Sequence, residues 1–236
     1  LKDLTEVQIW QKIAHAILSS KFPNQDLSSI NSIVEVAKIQ LLISMDATKA
    51  YETGKVTAAD LKDLPESKIK LLISNDVINA YKTGKVTFAD LKDLPESKIQ
   101  LLISFEAAIA GYRTQKVSVA DLKDLPESKI KLLISYEAIE AYKTGKVSAA
   151  DLKDLPESKI KLLISYETIE AYKTGKATAA DLKDLTEIQI WQKIAHAILS
   201  SEFPNQDLSS INSIKEVSKV QLLISLDARR AYETGK

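Results

Sequence analysis

The stretch LKDLPESKI, residues 61–69, decides how the rest of the chain is read, because it returns at 91–99, 122–130 and 152–160. A fixed period of 30–31 residues takes precedence over any reading from length alone. The related stretch LKDLTE opens at Leu1 and again at Leu182, and LLIS recurs at 41–44, 71–74, 101–104, 132–135, 162–165 and 222–225. The chain divides into eight units, 1–30, 31–60, 61–90, 91–121, 122–151, 152–181, 182–211 and 212–236, the last one truncated. A longer period lies on top of this one. Residues 1–55 return as 182–236 with eight differences, so a block of six units plus one residue is itself duplicated. The differences resemble drift (Val7 against Ile188, Ile39 against Val220), which favours a window on a longer natural array over an idealised design.

Each unit reads as helices. Thr57 followed by Asp60 is a capping box at a helix start, and Ser118/Asp121, Ser148/Asp151 and Thr178/Asp181 repeat it. That first helix is short, because Pro65 pushes the preceding residue out of the α region while fitting the first turn of a new helix. The second helix closes at Gly84, Gly145 and Gly175, with Lys82, Lys143 and Lys173 in the last turn. Ser74 and its equivalents resemble a further N-cap that would break the longer helix in two. Ile69, Leu71, Leu72 and Ile73 run around the helix, which predicts contacts on two sides. A lone unit cannot bury such a surface, whereas stacked neighbours can. The expected fold is therefore all-α: a right-handed α-solenoid of eight stacked helix-turn-helix repeats of 30–31 residues, forming one array over 1–236. One unit, 91–121, has an extra residue alignable to Gly111 and carries Gln115 where others have the closing Gly. The extra residue predicts either a π-bulge between Ala108 and Tyr112 or a tolerated insertion.

Composition narrows the function. Cys is absent, which excludes disulfides, thiolate metal sites and cysteine nucleophiles. Apolar runs are far shorter than the roughly 18 residues that cross a bilayer, so no membrane insertion is expected. The 32 basic residues are balanced by 32 acidic ones, which argues against a binder driven by phosphate contacts. His15 and His196 are copies of one another, 181 positions apart, and no metal site is expected from them. No GxSxG elbow, Ser/His/Asp set or Gly-rich phosphate loop is visible. The same groups are spread evenly along a line, whereas catalysis needs different groups in one pocket. The chain reads as non-enzymatic and free of cofactors. Leu1 opens it, so a targeting signal is not observable; a soluble protein of the cytosol, or one secreted into a host cell, fits the composition.

The pattern Leu-Pro, then Leu-Leu-Ile-Ser, then Gly-x-Val-Ser/Thr resembles the short α-helical tandem repeats of proteins that intracellular bacteria deploy against host cells. The resemblance covers the whole chain. It implies a solenoid and an effector-like role in binding a partner. Tetratricopeptide and ankyrin signatures are both missing.

The units also serve as their own comparison, since packing should make them agree wherever it decides the residue. The fifteenth position disagrees most: His15, Met45, Asn75, Phe105, Tyr136, Tyr166, His196 and Leu226. Positions 18 and 19 vary too, as in Thr48/Lys49, Ile78/Asn79, Ile139/Glu140 and Arg229/Arg230, and three of the eight differences between the duplicated ends fall at these three positions. The functional reading is a ridge binding a protein or peptide, with Phe105, Tyr136 and Tyr166 as aromatic anchors. The plainer reading is a partly buried site between units where any medium-to-large side chain fits. Two other functions stay open: a structural array assembling end to end, and a modular nucleic-acid reader, which zero net charge and three Arg disfavour.

Overall fold

The computed structural model describes residues 4–103 and 106–234; of the helical residues, the side chains of Glu106, Ala107, Leu226, Ala231, Glu233 and Thr234 are not described. Every regular element among the described residues is a helix. The chain divides into two compact units, Leu1–Ile109 and Ala110–Lys236.

In both, the recurring module contains three helices. Ala58–Leu61 begins where the Thr57 hydroxyl accepts the Asp60 amide at 3.3 Å and the Thr57 amide donates to Asp60 Oδ2 at 2.8 Å. Pro65, at φ −59° and ψ 147°, then redirects the chain into Glu66–Leu72. The LLIS motif ends this helix: Ser74 turns to an extended conformation, accepts the Val77 amide on its hydroxyl and starts Asn75–Lys82. The break lets two short helices fold against each other, with Leu72, Val77 and Tyr81 buried between them. Elsewhere the second helix is tied back to the first, because the Tyr142 hydroxyl donates to the Leu133 carbonyl and the Tyr51 hydroxyl to the Leu42 carbonyl, both at 2.9 Å. Those carbonyls lie in a last helical turn, where no partner within the helix is available. The module closes on a left-handed residue. A Cβ at Gly145 would meet nothing within 4 Å, so its φ of +74° alone selects glycine.

Like helices of successive modules pack on one another. In the first unit, Val36–Leu42 packs against Glu66–Leu72, and Met45–Glu52 against Asn75–Lys82. In the second, Glu127–Leu133 packs against Glu157–Leu163, and Tyr136–Lys143 against Tyr166–Lys173. Hydrogen bonds repeat at the same period. The Ala149 amide donates to the Lys116 carbonyl at 2.9 Å and the Ala179 amide to the Lys146 carbonyl at 3.0 Å. Ser67 and Ser128 donate to Glu96 and Glu157, each at 2.7 Å.

Two departures from the sequence-based expectation have clear physical causes. Residues 6–21 and 187–202 each form one continuous sixteen-residue helix, Glu6–Lys21 and Glu187–Glu202, because Ala14 and Ala195 stand where the other units carry the helix-breaking Ser. A 3₁₀ turn follows each, Ser28–Ser32 and Ser209–Ser213, so the boundaries drawn at Asn31 and Asn212 fall inside these turns. The second departure concerns the extra residue. Glu106–Arg113 is α-helical throughout, which overturns the π-bulge between Ala108 and Tyr112. Gly111 fills the slot of Ala80 and Ala141, and a Cβ there would meet Val117 Cγ1 at 3.0 Å and Ile139 Cγ1 at 3.8 Å. Inserting a residue into so close a contact would rotate Tyr112 out of the core. Glu106–Arg113 has eight residues, as Tyr136–Lys143 does, so the extra residue falls before Glu106. Gln115 closes this module with φ +62°.

Candidate functional site

The residue after Ser44, Ser74, Ser135 and Ser165 is the first of its helix, on the side away from the core. Met45 is 71% exposed, Tyr136 71% and Tyr166 66%, and Asn75 is exposed as well. One turn further along the same helix the residues turn inward: Ala138, Ile139, Ala141 and Tyr142 are buried, as are Thr168, Ile169, Ala171 and Tyr172. Position 18 therefore does not belong to the surface stripe. Thr48, Ile78, Ile139 and Ile169 are all buried there, and Ile139 packs towards Gly111 of the preceding module. Position 19 lies at the surface, with Lys49 and Asn79 exposed and Glu140 and Glu170 half-buried.

Two other proposed ridge members, His15 and His196, do not share this geometry. His15 and His196 lie inside the sixteen-residue helices, half-buried, with Nε2 at 3.0 Å from Asn31 Oδ1 and 3.2 Å from Asn212 Oδ1. Both rings thus turn to the 3₁₀ segment. Phe105 lies outside the described residues; Leu226 opens the helix Leu226–Thr234, but its side chain is not described. Trp191 is buried and Trp10 half-buried. Among the described residues, no group of three or more His, Asp or Glu could hold a metal ion, and no helix is long and apolar enough to cross a membrane.

No protein family, curated protein or solved structure matches the chain. Its own repeats are the only comparison it offers.

Around Tyr136 and Tyr166 the surface is amphipathic. The Tyr166 hydroxyl is held by Glu170 one turn away, and this bond pushes the phenol's pKa up. Glu170 in turn lies 3.3 Å from Arg229, whose guanidinium also meets Glu202 at 2.8 Å. With its side chain only 12% exposed, Arg229 joins two carboxylates contributed by two preceding units. This bridge has no counterpart at the first duplicate, where Lys21 and Thr48 replace Glu202 and Arg229. Sequence reasoning missed it. The signal was present, since two of the eight differences change charge in opposite senses, Lys to Glu and Thr to Arg. In the first unit, the exposed positions border a shallow cleft of about 510 Å³ between Met45–Glu52 and Asn75–Lys82, lined by Lys49, Glu52, Asn75 and Ile78.

Proposed function

We propose that this chain is a non-enzymatic repeat scaffold, its modules continuing as one α-solenoid, that binds a protein or peptide along the exposed fifteenth-position side chains. One observation carries the reading. Of the six large apolar side chains left exposed among the described residues, Met45, Tyr136 and Tyr166 hold the same place in three modules. Each is anchored by a Ser cap, so a partner meets side chains on a rigid helix start and little loop entropy is lost on binding. Tyr136 and Tyr166 stand on helices that pack on each other and supply large contact area with few rotatable bonds. The resemblance to repeats of intracellular bacteria favours a host protein as partner. A nucleic-acid partner is disfavoured, because Lys residues along the modules pair with acidic neighbours, as Lys70 does with Glu66 and Lys143 with Glu140.

The double variant Tyr136→Ala/Tyr166→Ala tests the proposal. Hot-spot aromatics are each worth about 2 kcal/mol or more, so partner capture by the immobilised chain should fall at least about thirtyfold while far-ultraviolet circular dichroism stays unchanged. Capture of the same proteins in the same amount by the double variant would refute the ridge.

A further inference from the structure

A second cleft, unrelated to the tyrosines, is basic throughout. It lies between the turn after Gly175, the helix Glu187–Glu202 and the 3₁₀ segment Ser209–Ser213. Its volume is about 360 Å³, and Lys176, Lys193, His196, Ser200 and Asn212 line it over the buried Ala197. Among the described residues, no acidic side chain lines it. Position 19 explains why. The units that follow Lys116 and Lys146 carry Glu140 and Glu170 there, whereas the unit that follows Lys176 carries Ser200.

The bonds inside the cleft leave donors to spare. Lys176 Nζ donates to Ser200 Oγ at 2.9 Å, so the Ser200 proton and the remaining N–H groups of Lys176 have no acceptor among the described residues. His196 Nε2 lies 3.2 Å from Asn212 Oδ1, an atom that only accepts. Nε2 therefore carries the hydrogen, and the Asn212 amide N–H groups are left to donate. Carboxylates on the flanking segments are engaged elsewhere. Asp181 accepts the Thr178 hydroxyl at 2.6 Å and its amide at 3.0 Å, Asp207 accepts the Ser209 amide at 2.9 Å, and Glu202 meets Arg229 at 2.8 Å. The Thr178 hydroxyl, and after it Lys193, hold the Asp181 carboxyl below its ordinary range.

A following module does not cover this face. In the first duplicate, Ala58–Leu61 packs on Ser28–Ser32, yet Asn31 is exposed and His15 half-buried, as Asn212 and His196 are in the second.

We propose that the cleft binds a phosphate monoester dianion, free or carried on a phosphorylated side chain. The two ammonium groups match a charge that approaches −2 at neutral pH. The Ser200 hydroxyl and Asn212 amide add neutral donors to the same oxygens. A carboxylate or a phosphodiester carries a single charge and would leave one ammonium uncompensated.

Titration of the isotope-labelled full chain with a short phosphoserine peptide, its unphosphorylated form and inorganic phosphate, read by NMR at the Asn212 side-chain amide, tests this. A phosphate probe should move that resonance with a Kd of about 1 mM or lower, less tightly as NaCl rises from about 0.05 to about 0.5 M. Tighter binding by the peptide assigns the site to a phosphorylated partner, and binding as tight or tighter by inorganic phosphate assigns it to a free ion or small ester. Lys176→Gln and Lys193→Gln should each weaken binding at least about tenfold. Ser200→Glu, which brings back the acid of the preceding units, should abolish it, and Lys146→Gln should leave it unchanged, with circular dichroism confirming that the helices persist. Four results would each overturn the proposal: no shift with either phosphate probe, an equal shift with the unphosphorylated peptide, equal binding by an oligonucleotide lacking a terminal phosphate, or undiminished binding by the Lys176→Gln/Lys193→Gln double variant.

Discussion

Ile13→Ala and Ile194→Ala remove the same atoms from the same helix in two environments. At Ile194, fully buried beneath Tyr166–Lys173, the loss comprises about 0.8 kcal/mol for each buried methylene-sized group removed and a further term for the cavity left in a surface closed on all sides. Together these come to about 3–4 kcal/mol. At Ile13 the side chain is 37% exposed, so the transfer term shrinks by about a third and no closed cavity forms, leaving about 1.5 kcal/mol. The expected difference is about 2 kcal/mol, which at a urea slope of about 2 kcal/mol/M corresponds to roughly 1 M between the two midpoints. Urea titrations followed by circular dichroism at 222 nm, on both single variants and the unmodified chain, measure it. Equal losses, or a larger one at Ile13, would refute the claim that the preceding module supplies the burial that distinguishes these two copies.

The buried tyrosines give a second internal control: Tyr142→Phe removes the hydrogen bond to Leu133 and should cost about 1 kcal/mol, whereas Tyr172→Phe removes a buried hydroxyl with no partner and should be neutral or stabilising in the same titration. Gln115→Gly places glycine at φ +62°, a conformation that costs other residues about 1–2 kcal/mol, and should raise the melting midpoint by a few degrees; an unchanged or lower midpoint would show that the Gln side chain stabilises the turn in another way.

What the sequence revealed and what it concealed divide along a physical line. Interactions within a few residues were legible. The Thr57–Asp60 box, the Pro65 turn, the closing glycines and the Ser74 break all appear where the spacing places them. Interactions between modules were not. Position 18 differs between units in sequence, yet Thr48, Ile78, Ile139 and Ile169 are all buried. The extra residue aligned to Gly111 in sequence, yet Val117 and Ile139 leave no room for it there. Counting in thirties also set His15 and His196 in line with Met45 and Tyr136, although the missing Ser in their units makes one long helix of two short ones. The candidate surface was legible where a capped helix start presents the residue, at Met45, Asn75, Tyr136 and Tyr166. The Glu170–Arg229–Glu202 bridge was hidden because its members stand 59 and 27 residues apart.

That modules bury one another's surface is tested most directly at two backbone amides. Ala149 and Ala179 each open a four-residue helix, where an N–H has no acceptor within its own helix, and each donates to a carbonyl of the preceding module, Lys116 or Lys146. Hydrogen–deuterium exchange read by NMR should find both amides slowed by a factor comparable to those of the buried helix residues Leu152 and Leu182 beside them. Exchange at both sites as fast as in an exposed loop would mean that the modules do not lie against one another, and the account would fall.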